Sequence, residues 1–213
     1  MDVTWLGHGC FRLRGRGANV FTDPFPPSLG IKLPRLEADV VTVSHGHPNH
    51  SYTEIIRDGY VIDGPGEYEV KGVSVFGIPS YHDASLGSEL GRNTIFVIEV
   101  DDVRVCHLGD LGHRLDDDQS EAIGTVDVLL VPVGGRKTIA PDVAAEVVRL
   151  IEPRVVVPMH FKTPGIKEDL GGVDTFLKEM GVTDSEPLPK LSMQSSLGGG
   201  ESETKVVLLE PKG

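Results

Sequence analysis

The chain has 213 residues, and its 20 Lys and Arg against 32 Asp and Glu give a formal net charge of −12 at pH 7. With 39% apolar and 24% charged residues, the composition is typical of a folded globular protein and excludes a disordered one. The acidic balance argues against non-specific binding to nucleic acids and to anionic membranes, because both depend on Lys and Arg neutralising phosphate groups.

The length predicts one domain over residues 1–213, large enough to bury a core of its own. The two cysteines, Cys10 and Cys106, form no C-x-x-C pattern and indicate a reduced compartment. The chain begins Met-Asp-Val-Thr-Trp, with an acid where a signal peptide carries basic residues. Its apolar stretches are too short to span a bilayer. We therefore expect a cytoplasmic protein without a membrane partner.

The first half of the chain is predicted to form strands separated by turns. Short extended runs occur at residues 3–6, 10–13, 19–22, 40–43, 60–62, 68–70, 73–76, 95–100 and 103–106. Residues 40–43 are typical of a strand buried on both faces. Ser51 and Glu54 follow with the spacing of a capping box, which predicts that a short helix begins at Ser51.

The second half alternates between strands and helices. Strands are predicted at 127–131, 154–157 and 206–209, helices at 140–152 and 173–180, and a mobile loop at 195–203. This order fits two sheets with helices outside them better than an open doubly wound sheet. The Gly-Gly-Arg-Lys-Thr run at 134–138 lacks the glycine that precedes the lysine of a P-loop, so a turn is predicted there.

Three histidines lie within six residues, directly after the buried strand at 40–43. His45 and His47 are two positions apart, so an extended strand end directs both to the same side. The predicted helix start brings His50 back toward the same place. A single histidine on an apolar strand is usually a core residue. Three at this spacing favour a metal site, since neutral imidazole is a good ligand for zinc and related ions.

Three more polar residues follow the carboxyl ends of predicted strands. His82 comes after residues 76–81, Asp110 after 103–106, and His160 after 155–158. Ligands commonly bind where such strand ends converge in layered α/β proteins. Each residue alone has an ordinary structural explanation, so the prediction of a site depends on the ordered set.

This ordered set resembles the ligand motif of the metallo-β-lactamase-fold hydrolases: His45, His47, His50, His82, Asp110 and His160. The sequence contexts, His-Asp at 82–83, Gly-Arg-Asn-Thr-Ile at 91–95, His-Leu-Gly-Asp-Leu-Gly at 107–112 and Pro-Met-His-Phe at 158–161, are similar to the branch that includes ascorbate-6-phosphate lactonase. The resemblance covers nearly the whole chain. It implies an α/β fold, a compact single-domain version of the four-layer αββα sandwich, with the metal site at one edge of the sheets.

The resemblance also implies roles for these residues. His45, His47 and His82 would hold one ion, His50 and His160 would hold a second, and Asp110 would bridge the two. Asp110 and His160 would also belong to the catalytic set, and Asp23 matches an early aspartate that supports the metal loop. The cofactor would be one or two Zn ions, with Mn, Fe or Ni as alternatives. A water or hydroxide with a lowered pKa would be the nucleophile.

Asn49 departs from the family pattern His-x-His-x-Asp-His, whose aspartate ligates the second metal and handles protons. An amide offers a neutral oxygen and takes up no proton as a carboxylate does. In the favoured interpretation the second site is weak or empty. In the other, His50, Asp110 and His160 retain a second ion at reduced affinity. The sequence therefore predicts a metal-dependent hydrolase of a small ester, lactone or phosphoester. The alternative is a catalytically weak or inactive metal-binding domain with a regulatory or binding role.

Four side chains near the ligand motifs are candidates for binding an anionic group of a small-molecule substrate: Arg92, His113, Lys137 and Lys162. For each of them taken alone, a solvated loop residue is the favoured explanation. His8, in a glycine-rich turn, and His107, at a strand end, are predicted to be structural. The oligomeric state stays open.

Overall fold

The structure is a computed structural model that describes residues 1–183, 185–195 and 203–212. Over these residues the chain forms fifteen strands and three α-helices. The strands are β1 (Asp2–Gly7), β2 (Cys10–Arg14), β3 (Asn19–Thr22), β4 (Leu36–Glu37), β5 (Val40–Thr42), β6 (Ile56–Arg57), β7 (Tyr60–Ile62), β8 (Gly66–Val70), β9 (Val73–Tyr81), β10 (Arg92–Val100), β11 (Val103–His107), β12 (Val128–Pro132), β13 (Val155–Met159), β14 (Leu191–Ser192) and β15 (Lys205–Val206). The helices are α1 (Asp117–Ile123), α2 (Pro141–Ile151) and α3 (Asp174–Glu179).

The strands form two large sheets and one small one. The first sheet has six strands in the order β14-β1-β2-β3-β5-β7, and the second has seven in the order β15-β13-β12-β11-β10-β9-β8. β4 and β6 pair separately. In the second sheet, β8 to β11 are antiparallel, whereas β11, β12, β13 and β15 are parallel.

The main core lies between the two large sheets. It joins Trp5 and Phe11 of the first sheet to Phe96 and Ile98 of the second in one buried cluster. Because successive side chains of a strand point to opposite faces, the neighbouring residues of β1, β3 and β5 face the other way. These form a second apolar cluster outside the first sheet.

Different layers cover the two outer faces. The helices cover the second sheet, where α2 contacts β12 and α1 contacts β9, and α2 buries Ala144, Val147 and Val148. The outer face of the first sheet is covered by segment 24–37, which contains a 3-10 turn at Pro27–Leu29, and by Ile166. The expected α/β sandwich is present, with a loop and a 3-10 turn as the layer outside the first sheet.

Most of the predicted strands and both helices predicted in the second half are confirmed, with ends shifted by a few residues. The predicted capping box of Ser51 and Glu54 does not form. The Ser51 hydroxyl donates to the His47 carbonyl at 3.0 Å, and only one 3-10 turn follows, at Thr53–Ile55, without a side-chain cap. Helix α1 was not predicted. The final strand is limited to Lys205–Val206, and most of the predicted loop at 195–203 lies outside the described residues.

Among the described residues, no helix combines the length and the apolar character that crossing a membrane requires. Cys10 and Cys106 are buried free thiols. Both positions lie in strands that pack into the apolar clusters.

Candidate metal centre

Four loops meet at one edge of the sandwich, and each follows the carboxyl end of a strand. β9 and β11 both pair antiparallel with β10, and β13 joins them in parallel through β12, so these three strands end at the same edge. The loop after β5 reaches this edge from the first sheet. The predicted metal residues stand on these loops: His45, His47 and His50 after β5, His82 after β9, Asp110 after β11, and His160 after β13.

Asp110 lies at the centre of this cluster. Its Oδ2 atom is 3.2 Å from Nε2 of both His82 and His160. It is 3.3 Å from Nε2 of His50 and 3.8 Å from Nε2 of His45. The Asp110 side chain is buried, and its backbone N–H donates to Asn93 Oδ1 at 3.0 Å. Four imidazole nitrogens thus converge on one carboxylate oxygen.

The donor atoms of this cluster fit a metal ion. His45 Nε2 and Asp110 Oδ1 are buried and find no hydrogen-bond partner among the described residues, although buried polar atoms are nearly always paired. His45, His82 and Asp110 each offer a ligand atom within 4.8 Å of the others. Imidazole nitrogen and carboxylate oxygen are the ligands of zinc and its first-row neighbours.

Asp23 supports the loop that carries the three clustered histidines. Its carboxylate accepts the backbone N–H of Ser44 at 2.8 Å and the Ser44 hydroxyl, and it lies 2.9 Å from His50 Nδ1. Burial would raise the pKa of Asp23, but the nearby His107 and His50 hold it below its ordinary value. The Asp23 residue is therefore a buried carboxylate that orients the His50 ring.

Protonation of the histidines depends on burial and on the neighbouring carboxylates. Burial lowers the pKa of His45 to about 3, so its ring is neutral at pH 7. Burial would also lower the pKa of His50, but Asp110 and Asp23 raise it to about 10. A metal ion bound at His50 would have to displace this proton. His82 Nδ1 lies 3.1 Å from the Lys137 carbonyl, which leaves His82 Nε2 directed at Asp110.

Known proteins are similar to this chain in sequence and in fold. The sequence model of the beta-lactamase superfamily domain matches residues 2–160. The chain belongs to the metallo-β-lactamase superfamily. The fold that the resemblance implied is thereby confirmed.

Individual members of this superfamily match over most of their length. The chain is 32% identical over 199 residues to a metal-dependent hydrolase of Thermococcus onnurineus, covering 79% of this chain and 88% of that protein. It is 30% identical over 215 residues to one of Methanopyrus kandleri, covering 85% and 94%. A crystal structure from Thermotoga maritima, assigned as a Zn-dependent hydrolase of the metallo-β-lactamase superfamily, has 42% identity, a TM-score of 0.78 and 97% coverage of both chains.

In the metallo-β-lactamase motif after β5, the His47 side chain is exposed and position 49 is an asparagine. The His47 Nδ1 accepts the backbone N–H of Asn49 at 3.3 Å. The half-buried Asn49 side chain donates from Nδ2 to Oε1 of Glu168 at 2.5 Å. This contact joins the motif to the loop after β13.

A cavity of about 260 Å³ opens beside the cluster. Ten residues line it: His47, His50, His82, Asp110, Arg136, Lys137, His160, Glu168, Asp169 and Leu170. Of the four predicted substrate-binding residues, Lys137 lies on this wall. Arg92 lies in an adjoining depression that Lys137, His45 and His47 share.

The structure places the other two predicted substrate-binding residues away from the cavity wall. Lys162 Nζ donates to the backbone carbonyls of Ile166 and Glu168 at 2.5 and 2.8 Å, so it stabilises its own loop. His113 Nε2 accepts the backbone N–H of Tyr81 at 3.1 Å, and its ring packs on the Tyr81 ring. For these two residues the interpretation as loop residues with structural contacts fits the geometry better.

Sequence reasoning missed four wall residues: Arg136, Glu168, Asp169 and Leu170. Arg136 had one available signal, because it precedes Lys137 in the glycine-rich turn. The buried His8 was predicted to be structural, and its carbonyl accepts the Trp5 indole N–H at 3.0 Å and the His160 backbone N–H at 3.2 Å. The His8 ring also packs on those of His50 and His160, with centroids 4.6 and 4.2 Å apart.

Proposed function

We propose that this chain, a metal-dependent hydrolase of the metallo-β-lactamase superfamily, cleaves a small ester, lactone or phosphoester. The observation that carries the proposal is the convergence of four imidazole Nε2 atoms on Asp110 Oδ2 beside an open cavity. Such a set of imidazole nitrogens around a shared carboxylate supports metal-assisted hydrolysis.

Each residue of the cluster has a definite part in this proposal. His45, His47 and His82 would hold the first ion, His50 and His160 would hold the second, and Asp110 lies between the two groups. When bound, zinc or a related ion lowers the pKa of a coordinated water toward neutrality and polarises the carbonyl or phosphoryl group of the substrate. Burial would raise the pKa of Asp110, but His160 and His50 keep it well below its ordinary value. Asp110 therefore stays ionised as an acceptor.

The cavity supports a small, anionic substrate. Its volume of about 260 Å³ lies just below the range of ligand pockets, which span roughly 300–1,000 Å³. Arg136 and Lys137 on its wall are suited to a carboxylate or phosphate group of the substrate. The net charge of −12 disfavours a nucleic acid. We also propose that the protein acts in the cytoplasm, as its two unpaired thiols suggest.

A substrate panel tests the proposed function. The zinc-loaded chain is assayed with lactones, carboxylic esters, phosphomonoesters and phosphodiesters. We expect zinc-dependent turnover of at least one class. In His47→Ala, kcat/KM falls by about 100-fold or more, because losing a ligand costs at least as much as losing a residue that merely orients one. His113→Ala, which lies off the cavity wall, retains the activity. Full metal loading without turnover across the panel contradicts the proposal and supports the metal-binding alternative.

A further inference from the structure

Position 49 is where the superfamily motif supplies a second carboxylate and this chain supplies an amide. The Asn49 side chain uses its N–H to bind a carboxylate from elsewhere, donating to Oε1 of Glu168 at 2.5 Å. The two residues are 119 positions apart in sequence. A carboxylate therefore does stand beside position 49, and the loop after β13 provides it.

Two hydrogen bonds hold Glu168 in this place, and His8 lies beside its second carboxylate oxygen. Asn49 binds one carboxylate oxygen, and the other, Oε2, lies 3.5 Å from Nε2 of the buried His8. Its backbone carbonyl accepts Lys162 Nζ at 2.8 Å. The side chain is 28% exposed and lines the cavity together with His50, Asp110 and His160. Glu168 is thus fixed on the wall that contains the second group of metal residues.

The charge of Glu168 is not neutralised by a basic residue. Over the described part of the chain, no Lys or Arg nitrogen lies within 4.0 Å of its carboxylate, and the one imidazole nitrogen within that distance is Nε2 of the buried His8. The adjacent Asp169 provides a contrast, since it is 84% exposed and pairs with Arg136 at 3.5 Å. An unpaired carboxylate beside a histidine cluster is suited to bind a cation.

We propose that Glu168 binds the second metal ion, in place of the aspartate that Asn49 replaces. Asn49 then acts as a positioning residue, because its amide holds the Glu168 carboxylate against the cavity. His50, His160 and Asp110 alone offer one negative charge to be shared between two divalent ions, and Glu168 supplies another. The inference rests on the proposed function in one respect, namely that the cluster binds metal.

Counting bound metal tests this assignment directly. Metal-free protein is dialysed against buffered free Zn²⁺, and zinc per chain is measured by elemental analysis. We expect two ions in the unmodified chain. Glu168→Gln keeps the size of the side chain and an acceptor for Asn49 but removes the charge. It should retain the first ion and bind the second at least about 10-fold more weakly.

Two further variants separate ligation from a structural role. Asp169→Asn removes the neighbouring wall carboxylate and should still bind two ions. The double variant Asn49→Asp/Glu168→Gln returns a carboxylate to the motif position and should bind two ions again. The visible spectrum of Co²⁺ at the second site should change in Glu168→Gln and not in Asp169→Asn, which reports on coordination rather than on folding.

Several results would overturn the assignment. If Glu168→Gln holds its second ion as tightly as the unmodified chain, Glu168 is only a hydrogen-bond partner of Asn49. If the unmodified chain binds a single ion yet turns over substrate, this inference fails and the proposed function stands. If the chain binds no zinc, both fail together.

Discussion

Asp23 and Asp110 are both buried, yet they face different nitrogens of the same histidine. His50 directs Nδ1 to Asp23 at 2.9 Å and Nε2 to Asp110 at 3.3 Å. An imidazole offers only these two nitrogens, so the partner of the first decides which way the second points. At the scale of single residues, Asp23 therefore aims His50 into the cluster.

Asp23→Asn should weaken metal binding although the residue touches no substrate. The amide keeps the shape of the side chain, but its NH₂ group is a donor that faces the N–H of Ser44 or of His50. One of these two hydrogen bonds is therefore lost. We expect metal affinity to fall about 10- to 100-fold and the free energy of unfolding to fall by about 1–3 kcal/mol. Competition with a chromophoric chelator and urea unfolding measure the two effects. Asp39→Asn, which breaks a surface ion pair with Lys71, is the control. Unchanged metal affinity in Asp23→Asn would contradict this role.

The sequence identified the residues of the cluster but not the residue opposite Asn49. Closely spaced histidines and polar residues at strand ends are local signals, and the six they indicate all lie at one edge. Glu168 has no such signal, because its contact with Asn49 depends on the path of the loop after β13. Lys162 and His113 lie near the motifs in sequence, but hydrogen bonds to nearby backbone groups direct their side chains elsewhere.

Among the secondary-structure elements, apolar runs predicted strands reliably, whereas polar capping patterns did not predict helices reliably. Strands β5 and β13 carry runs of β-branched residues, and the sequence predicted them. Helix α1 is short and begins with two acids after its N-cap Asp116, so apolar periodicity does not reveal it. Its capping box between Asp116 and Gln119 is real. The pattern at Ser51 has the same spacing, but the Ser51 hydroxyl binds the His47 carbonyl instead.

The loops after β9 and β11 are in contact at Gly112. Adding one Cβ atom at this position would therefore change the distance between the two loops, which carry His82 and Asp110. The Gly112 N–H donates to the Tyr81 carbonyl at 2.9 Å. A Cβ at this position would meet the backbone of His82 at 2.2 Å and of Asp83 at 2.3 Å. Backbone atoms at such distances must separate, and His82 would move away from Asp110.

Gly112→Ala should therefore damage the site through these two loops. Overpacking of this kind costs about 1–3 kcal/mol, and displacing His82 should weaken zinc binding about 10-fold or more. Thermal unfolding and zinc competition measure the two effects. Gly17→Ala, where a Cβ meets nothing within 4 Å, is the matched control. If Gly112→Ala binds zinc normally, the loops are more adaptable than their contact indicates.

At the scale of the whole molecule, the cluster lies across the two sheets of the sandwich. The three clustered histidines come from the loop after β5 in the first sheet. The others come from loops of the second sheet, after β9, β11 and β13. The two sheets are already joined by the buried cluster around Trp5 and Phe96. A metal ion adds a second connection at the edge of that core, so folding and metal binding are thermodynamically linked.

Removing the metal should lower the stability of the entire chain. An ion present at 100 times its dissociation constant stabilises the folded state by about 2.7 kcal/mol. For a chain of this size that amounts to a thermal midpoint roughly 5–10 °C higher. We expect EDTA to remove this increment and added Zn²⁺ to restore it in calorimetry. In His47→Ala, which lacks one ligand of the first ion, the shift should be smaller. An equal midpoint with and without chelator, in a chain shown to bind zinc, would mean that the ion does not hold the sheets together.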